Sequence, residues 1–131
     1  EVAAAEGQII MIEPLNTRDA PGYHLTDIES AMRTIDAVDR NNLKLMFDCY
    51  HVQMSGGDVI ADLKKHLPII GHIQFADVPG RGAPGTGGMD FSEIFRAIRE
   101  SSWGRPIGAE YRPGGRTEDT LDWLRDAKQM K

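Results

Sequence analysis

Four polar residues each stand at the end of a short apolar run, and their types suit a site for a hard divalent cation. Three are carboxylates and one is an amide: Glu13, Asp48, Gln74 and Glu110. They are spaced 35, 26 and 36 residues apart, which is about the length of one strand–helix unit. Hard divalent cations bind oxygen ligands of this kind. One such acid alone could equally cap a helix or pair with an arginine, but four matched positions favour a shared metal site.

Two further residues could act beside that site. His51 follows Asp48 by three residues, so a short helical turn would put both on one side. It could then bind a metal or a substrate oxygen, or be a hydrogen-bonded histidine packed at the strand end. Arg81 lies in a glycine-rich loop, where it is either solvated or placed to clamp a substrate carboxylate or hydroxyl.

Other reactive side chains have simpler interpretations. His72 and Gln74 alternate along a strand and so point to the same face; we expect His72 to fill a layer below the site. Cys49 is expected to be a small buried hydrophobe, not a thiolate nucleophile. The loop over residues 77–89 has neither a phosphate-loop lysine nor a dinucleotide fingerprint, so phosphate binding has little support.

The elements that must position these residues alternate between strand and helix patterns. The predicted strands are Gln8–Glu13, Leu43–Asp48, Ile69–Phe75 and Ile107–Glu110. The chain opens as the last turns of a helix with Gly7 as its C-cap. Later helix starts are predicted at the capping box Thr26–Glu29, at Asp58, at Asp90 with Glu93, and at Thr117. The inward faces of the three helices that start near Thr26, Asp58 and Asp90 are predicted, in that order, at Ile28, Met32, Ile35 and Val38, at Val59, Ile60, Leu63 and Leu67, and at Phe91, Ile94, Phe95 and Ile98.

This alternation predicts a parallel α/β sheet with right-handed crossovers. Four such units are half of a (β/α)8 TIM barrel, and an open four-stranded sheet is the alternative. In either fold the C-terminal strand ends meet on one face. Because the chain begins inside a helix pattern without an initiating Met, we expect residues 1–131 to be the C-terminal portion of one barrel domain. A processed form beginning at this residue is the other interpretation.

Composition restricts the class of protein. The 131 residues are 40% hydrophobic and 27% charged, with a net charge of −5, which indicates a globular chain and argues against non-specific nucleic-acid binding. No apolar run is long enough for a membrane span, so no membrane partner is expected. The single cysteine excludes an internal disulfide and suits a reducing compartment, so cytoplasmic localisation is the default expectation.

At the residues of the candidate site the chain resembles the hydroxypyruvate isomerase family, one of the xylose-isomerase-like (β/α)8 barrels. The matching stretches are Ile12–Thr17, Asn42–His51, Gly71–Arg81 and Glu110–Pro113. A His-x-Gln sequence followed by Val-Pro-Gly-Arg is unlike the related ketose 3-epimerases, which usually carry a histidine at the position of Gln74.

The resemblance implies a role for each site residue. Glu13, Asp48, Gln74 and Glu110 would hold one divalent cation, Mg²⁺ or Mn²⁺, and Glu13 and Glu110 would also be the acid–base pair. His51 and Arg81 would bind oxygens of a small hydroxy-oxo acid. The implied reaction interconverts hydroxypyruvate and 2-hydroxy-3-oxopropanoate through an enediolate. We expect the 131-residue chain alone to be inactive unless it dimerises or joins the missing half, which leaves a homo-oligomer open.

Three other functions remain open at this stage. A 2-oxo-tetronate isomerase or a ketose 3-epimerase would use the same barrel and metal with a different pocket. A non-catalytic sugar-acid binding domain could retain the same ligands. An endonuclease-type relative with a trinuclear metal site is disfavoured by the acidic balance and by the shortage of histidine and basic residues.

Overall fold

A computed structural model describes the backbone of residues 1–129. Its strands are β1 Ile10–Ile12, β2 Leu43–Asp48, β3 Ile70–Phe75 and β4 Gly108–Ala109. Its helices are α1 Val2–Ala5, α2 Ile28–Val38, α3 Cys49–Met54, α4 Val59–His66, α5 Phe91–Glu100 and α6 Asp122–Gln129. Short 3-10 segments, Leu67–Ile69 and Thr117–Thr120, precede β3 and α6. The predicted alternation of strands and helices is confirmed.

The four strands form one parallel sheet in the order β1-β2-β3-β4. Neighbours in sequence are therefore neighbours in space, as in a (β/α)8 barrel. The pairing of Asp48 with Gln74, and of Gln74 with Gly108, aligns the C-terminal ends of the last three strands. The backbone N–H of Glu110 donates to the carbonyl of Phe75, which brings Glu110 to the same edge.

One face of the sheet packs against the helices and forms the core. Leu45, Phe47, Ile73 and Phe75 are buried on that face, whereas Met46, His72 and Gln74, which alternate with them, are only half-buried. The predicted inward face of α5 is confirmed: Phe91, Ile94, Phe95 and Ile98 are all buried. The rings of Phe75, Phe91, Phe95 and Trp123 pack mainly edge to face, an arrangement favoured by their quadrupoles.

The two edge strands are shorter than predicted. β1 has three residues and β4 has two, against six and four in the predicted ranges. Each of these strands has only one neighbour in the described sheet, so half of its backbone groups lack a ladder partner and the regular pairing ends early. Glu13 and Glu110 consequently lie just beyond their strands and not inside them.

Helix boundaries agree with the sequence where a side chain caps the backbone directly. The carboxylates of Asp58 and Asp90 accept backbone N–H bonds at the starts of α4 and α5, as predicted. The α2 prediction was wrong by one residue, because Asp27 and not Thr26 accepts the N–H of Ser30. Both residue types are good caps, and only the backbone conformation decides between them.

Three further details differ from the sequence prediction. Glu93 does not complete a capping box, because its carboxylate pairs with Arg96 one turn along the helix. Val38 is 47% exposed, and the buried residues of α2 are Ala31 and Ile35. Thr117 begins a 3-10 turn and not the last helix, which starts at Asp122. Among the helices that the structure describes, none has the length and hydropathy of a membrane span.

Candidate active site

The ends of β1 and β2 bring two of the predicted ligands together. One carboxylate oxygen of Glu13, one of Asp48 and a ring nitrogen of His51 lie within 4.8 Å of one another. Gln74 is the strand partner of Asp48, and Glu110 reaches the same group of side chains through Arg81. All six residues predicted for the site therefore lie at the end of the sheet that is formed by the C-terminal ends of the strands.

The two carboxylate oxygens of Asp48 have different partners. It is both the last residue of β2 and the N-cap of α3, where Oδ1 accepts the N–H of Tyr50 at 3.0 Å. Oδ2 is the atom turned toward the other site residues, 2.9 Å from Nη2 of Arg81. The side chain has no exposed surface, so capping fixes the direction in which Oδ2 points.

Arg81 connects carboxylates from two strands. Its Nη2 donates to Asp48 and, at 2.6 Å, to Oε2 of Glu110, while Nε donates to the Glu110 carbonyl at 3.2 Å. The guanidinium also lies over the ring of Tyr50, 5.0 Å from its centroid. Arg81 adopts a left-handed backbone conformation with φ of 54°, which costs about 1–2 kcal/mol in a non-glycine residue. Such strain is typical of functional segments that the surrounding structure holds in place.

The loop that carries Arg81 is organised by Asp77. This carboxylate is 1% exposed and accepts four backbone N–H groups, from Val78, Gly85, Gly87 and Met89. A Cβ at Gly87 would lie 2.0 Å from the Val78 carbonyl oxygen, so only glycine fits there. The long irregular loop is thus as predicted from its composition, but its central anchor was not identified from the sequence.

One carboxylate oxygen of Glu13 lacks a hydrogen-bond partner among the described residues. Its Oε1 atom is buried and accepts no hydrogen bond from the residues described here. Burial, followed by the negative charges of Asp48 and Glu110, raises the pKa of Glu13 to about 7. An orphaned carboxylate oxygen of this kind is costly unless a cation or a donor supplies the missing interaction.

Asp48 is perturbed in the same direction. Burial raises its pKa to about 6, and Glu110 raises it further, while the N–H of Tyr50 and the charge of Arg81 oppose the shift. Two crowded acids with raised pKa values and one unsatisfied oxygen fit the binding of a divalent cation, which favours hard oxygen donors.

His51 is held from both sides of its ring. Nδ1 lies 3.1 Å from the backbone N and 2.7 Å from Nδ2 of Asn16. Nε2 lies on the site side, 3.8 Å from Asp48 Oδ2 and 4.0 Å from Glu13 Oε1. Burial, with the nearby charge of Arg81, lowers the pKa of His51 to about 4, so the ring is neutral at pH 7.

His72 and Gln74 share one face of β3, as predicted from their alternation. A Cβ built at Gly108 would meet Nε2 of His72 at 2.9 Å and Cγ of Gln74 at 3.4 Å. His72 lies two residues before Gln74 on β3 and pairs with Met46, which lies two residues before Asp48 on β2. His72 is therefore one step below the carboxylates along the sheet. Gly108 therefore leaves room for both side chains beside the short strand β4.

Sequence reasoning missed the residues that support His51 and Arg81. Asn16 and Asp19 belong to the β1–α2 loop, and Tyr50 follows Asp48 in α3. Asp19 Oδ2 accepts from Asn16 Nδ2 at 3.0 Å and from the Tyr50 hydroxyl at 2.6 Å. An asparagine that bonds backbone N–H groups two or three residues ahead is a recognised turn signal, and it could have indicated Asn16.

A cavity of about 180 Å³ lies on the helix side of Asp48, between α2 and α4. Its wall includes Asp48 and His51 together with Asp27, Asp62 and His66, but not Glu13, Arg81 or Glu110. The cavity therefore adjoins the carboxylate group from the helix side, and the candidate substrate site is the open C-terminal end of the sheet, where Glu13, Arg81 and Glu110 lie.

Comparison with known proteins places the chain in a family and confirms the predicted fold. Residues 1–127 match the family described as xylose isomerase-like TIM barrel. The crystal structure described as AP endonuclease, family 2, from Brucella melitensis superimposes with a TM-score of 0.89 at 32% identity, covering 94% of this chain and 48% of that one. The apo crystal structure of Escherichia coli 3-keto-D-glucoside 4-epimerase gives 0.79 at 27% identity, covering 98% and 47%.

Two curated relatives are similar over nearly all of this chain. The 2-oxo-tetronate isomerase of Cupriavidus necator is 42% identical over 123 residues, which are 94% of this chain and 47% of the relative. The hydroxypyruvate isomerase of Escherichia coli K12 is 40% identical over 119 residues, which are 91% and 46%. The chain thus spans about half the length of the curated relatives it matches.

Proposed function

Because the chain belongs to the xylose isomerase-like TIM barrel family, we propose that it carries the acid–base and metal-binding residues of an isomerase for a small hydroxy-oxo acid. The observation that supports this proposal most is that five side chains meet at the C-terminal ends of the strands: Glu13, Asp48, His51, Arg81 and Glu110. The names of the two curated relatives support the class of reaction.

The proposed reaction moves one proton between neighbouring carbons. Hydroxypyruvate loses a proton from its hydroxymethyl carbon, and the resulting enediolate is protonated at the former carbonyl carbon to give 2-hydroxy-3-oxopropanoate. No oxidant or reductant is needed, because the carbonyl and the alcohol exchange places. The protein must therefore supply a base, an acid, and stabilisation for the negative oxygen that develops.

Glu13 and Glu110 are the proposed base and acid. A carboxylate with a pKa near 7 is well suited to accept a proton at neutral pH, and Glu13 has that property in the metal-free protein. Glu110 pairs with Arg81 and its side chain is 55% exposed, so substrate can reach it. Placing one carboxylate on each side of the substrate lets one remove the proton while the other returns it.

Glu13, Asp48, Gln74 and Glu110 are the residues that would hold a divalent cation, Mg²⁺ or Mn²⁺. Bound there, the cation would act as a Lewis acid that acidifies the substrate C–H and stabilises the enediolate. Asp48 Oδ2 and Glu110 Oε2 now accept from the same Nη2 atom of Arg81. A cation and this guanidinium cannot use the same lone pairs, so we expect metal binding to weaken the Arg81 contacts and free its fork for a substrate carboxylate.

A second candidate is a 2-oxo-tetronate isomerase. It is favoured by the 42% identity to the enzyme of that name, and it needs the same proton transfer on a substrate one carbon longer. A pocket that accepts the additional hydroxymethyl group would be the only difference. A ketose 3-epimerase or a sugar-acid binding domain would also use this site, but the two curated relatives favour isomerisation.

The test is exchange of the substrate C–H with deuterated water. Full-length protein is incubated with hydroxypyruvate or 2-oxo-tetronate, with and without Mg²⁺ or Mn²⁺. We expect metal-dependent exchange that falls about 100-fold or more in Glu110→Gln, because a general acid–base group is lost. The matched control is Glu118→Gln, since Glu118 is an exposed glutamate that pairs with Arg116 and not with a site residue.

The outcomes separate the candidate functions. Exchange with one acid and not the other identifies the substrate. Absence of exchange with both acids, in protein that binds metal, would contradict the isomerase proposal and favour an epimerase of larger sugars or a binding domain. An unchanged rate in Glu110→Gln would remove Glu110 from the acid–base pair.

A further inference from the structure

Asn16 is buried in the β1–α2 loop with all of its polar groups engaged. It is 1% exposed, and its Oδ1 accepts the backbone N–H groups of Arg18 and Asp19 at 3.1 and 3.0 Å. A backbone N–H can only donate, so these two bonds fix which side-chain atom is oxygen. The Nδ2 group must therefore face the other way, toward Asp19 Oδ2 and His51 Nδ1.

This orientation determines which ring nitrogen of His51 carries a proton. Two N–H groups of Asn16, one from the backbone and one from the side chain, point at Nδ1. Neither of these N–H groups can accept a hydrogen bond, so Nδ1 must be the acceptor and therefore carries no proton. The ring proton then resides on Nε2, which faces the candidate active site.

On the other side of the ring Nε2 also faces a donor, so the assignment of the proton rests on the two Asn16 contacts at Nδ1. Arg81 Nη1 lies 3.1 Å from His51 Nε2, and a guanidinium nitrogen is always a donor. With the proton on Nε2, two donors converge and cannot satisfy each other. An acceptor that lies between them and the substrate space, such as a carbonyl, enediolate or carboxylate oxygen of a substrate, would satisfy both donors.

We propose that Asn16 is a positioning residue that fixes His51 as an Nε2–H donor, so that His51 and Arg81 present a pair of N–H groups to one substrate oxygen. The inference rests on the proposed function for the identity of that oxygen, but the tautomer itself does not depend on it. It also means that His51 does not ligate a metal through Nε2, although Nε2 lies beside Glu13 and Asp48.

Asp19 and Tyr50 support both donors. Asp19 Oδ2 accepts from Asn16 Nδ2 and from the Tyr50 hydroxyl, and the Tyr50 ring lies against the guanidinium of Arg81 and the imidazole of His51. One connected set of contacts therefore runs from Asn16 to both donor side chains. A shift of Asn16 would be transmitted to each of them.

The direct test is ¹⁵N NMR of the histidine rings in full-length, metal-free protein near neutral pH. There are four histidines, so His51→Gln identifies the signals of His51. We expect the neutral Nε2–H tautomer, in which Nδ1 has the shift of a bare nitrogen and Nε2 that of a protonated one. A proton on Nδ1 would overturn the inference, whatever the protein catalyses.

A variant tests whether Asn16 sets the tautomer. Asn16→Asp keeps the shape but presents a carboxylate oxygen where Nδ2 stood, which favours a proton on Nδ1. We expect the His51 signals to change in this variant and to stay unchanged in Asn42→Asp, since Asn42 is a half-buried asparagine that donates to the Gln8 carbonyl and not to His51. If the Asn16→Asp spectrum keeps the wild-type tautomer, Asn16 does not set it.

Kinetics then connect the tautomer to turnover. Asn16→Asp and His51→Gln are each expected to lower kcat/KM about 10- to 100-fold, the equivalent of one hydrogen bond to a charged oxygen. The double variant should be no slower than His51→Gln alone, because both changes remove the same donor. Additive losses would contradict a shared role. If Asn16→Asp does not fold, the wild-type spectrum still decides the tautomer.

Discussion

Arg81 Nη2 lies 2.9 Å from Asp48 Oδ2, and this ion pair ties the glycine-rich loop to the end of the second strand. Asp48 has no exposed side-chain surface, and the Arg81 side chain is 18% exposed. A carboxylate that is buried so completely needs a counter-charge. The guanidinium supplies it here, and a bound cation is the proposed alternative.

Arg81→Met is therefore expected to destabilise the metal-free protein and to make its stability depend on metal. Removing one partner of a buried pair costs about 3–5 kcal/mol, and Mn²⁺ should restore part of that loss because it can neutralise Asp48 in place of the guanidinium. Urea unfolding with and without Mn²⁺ measures both effects. Arg96→Met is the control, since Arg96 pairs with Glu93 on the exposed face of α5. An equal loss with and without metal would contradict this exchange of partners.

Asp77→Asn is expected to loosen the loop that presents Arg81. All four hydrogen bonds to this carboxylate come from backbone N–H groups, so an amide would turn an NH₂ group toward at least one donor. Leaving a buried donor unsatisfied costs about 1–3 kcal/mol. Limited proteolysis within residues 78–89 should accelerate, together with a lower urea midpoint.

The control for Asp77→Asn is Asp90→Asn. Asp90 also accepts a backbone N–H, at the start of α5, but it is exposed and asparagine is an equally good N-cap. We expect its stability to change by only a few tenths of a kcal/mol. Similar losses in the two variants would show that the loop does not depend on Asp77.

Cys49 is expected to be chemically inert in the native protein. It is fully buried behind β2, and burial raises the pKa of its thiol far above the usual range, so no thiolate is available at neutral pH. An aromatic disulfide reagent should label it only after denaturation. Cys49→Ala should retain C–H exchange, and a variant that folds but loses exchange would refute the interpretation of Cys49 as a packing residue.

Local chemistry made much of the fold predictable. β2 was predicted with its observed bounds because a mainly apolar run, Leu43 to Phe47 with Lys44 inside it, ends at the polar Asp48. Asp58 and Asp90 were predicted as caps because a carboxylate before an apolar helical pattern bonds the backbone nearby. Each of these features depends on residues within a few positions of one another.

The supporting residues of the site could not be predicted in that way. Asn16 and His51 are 35 residues apart in sequence, and their contact exists only because β1 and β2 are neighbours in the sheet. The pairing of Arg81 with Asp48 and Glu110 likewise requires three separate segments to meet. The sequence indicated which side chains could act, but not which ones hold them in position.

His66 gives a prediction away from the proposed metal site. It is buried at the end of α4 beside the cavity, and burial, followed by the charge of Lys65, lowers its pKa, while Asp62 and Glu29 oppose the shift. A histidine whose pKa is lower in the folded state favours unfolding when it is protonated. Its contribution to stability is complete above its unfolded pKa of about 6.5 and is lost as the pH falls below that value toward the folded pKa.

The free energy of unfolding should therefore fall more between pH 7.5 and 5.5 in wild type than in His66→Gln. The same substitution at the exposed His24 should leave that difference unchanged, and an identical pH dependence in His66→Gln would contradict a lowered pKa of His66 in the folded protein.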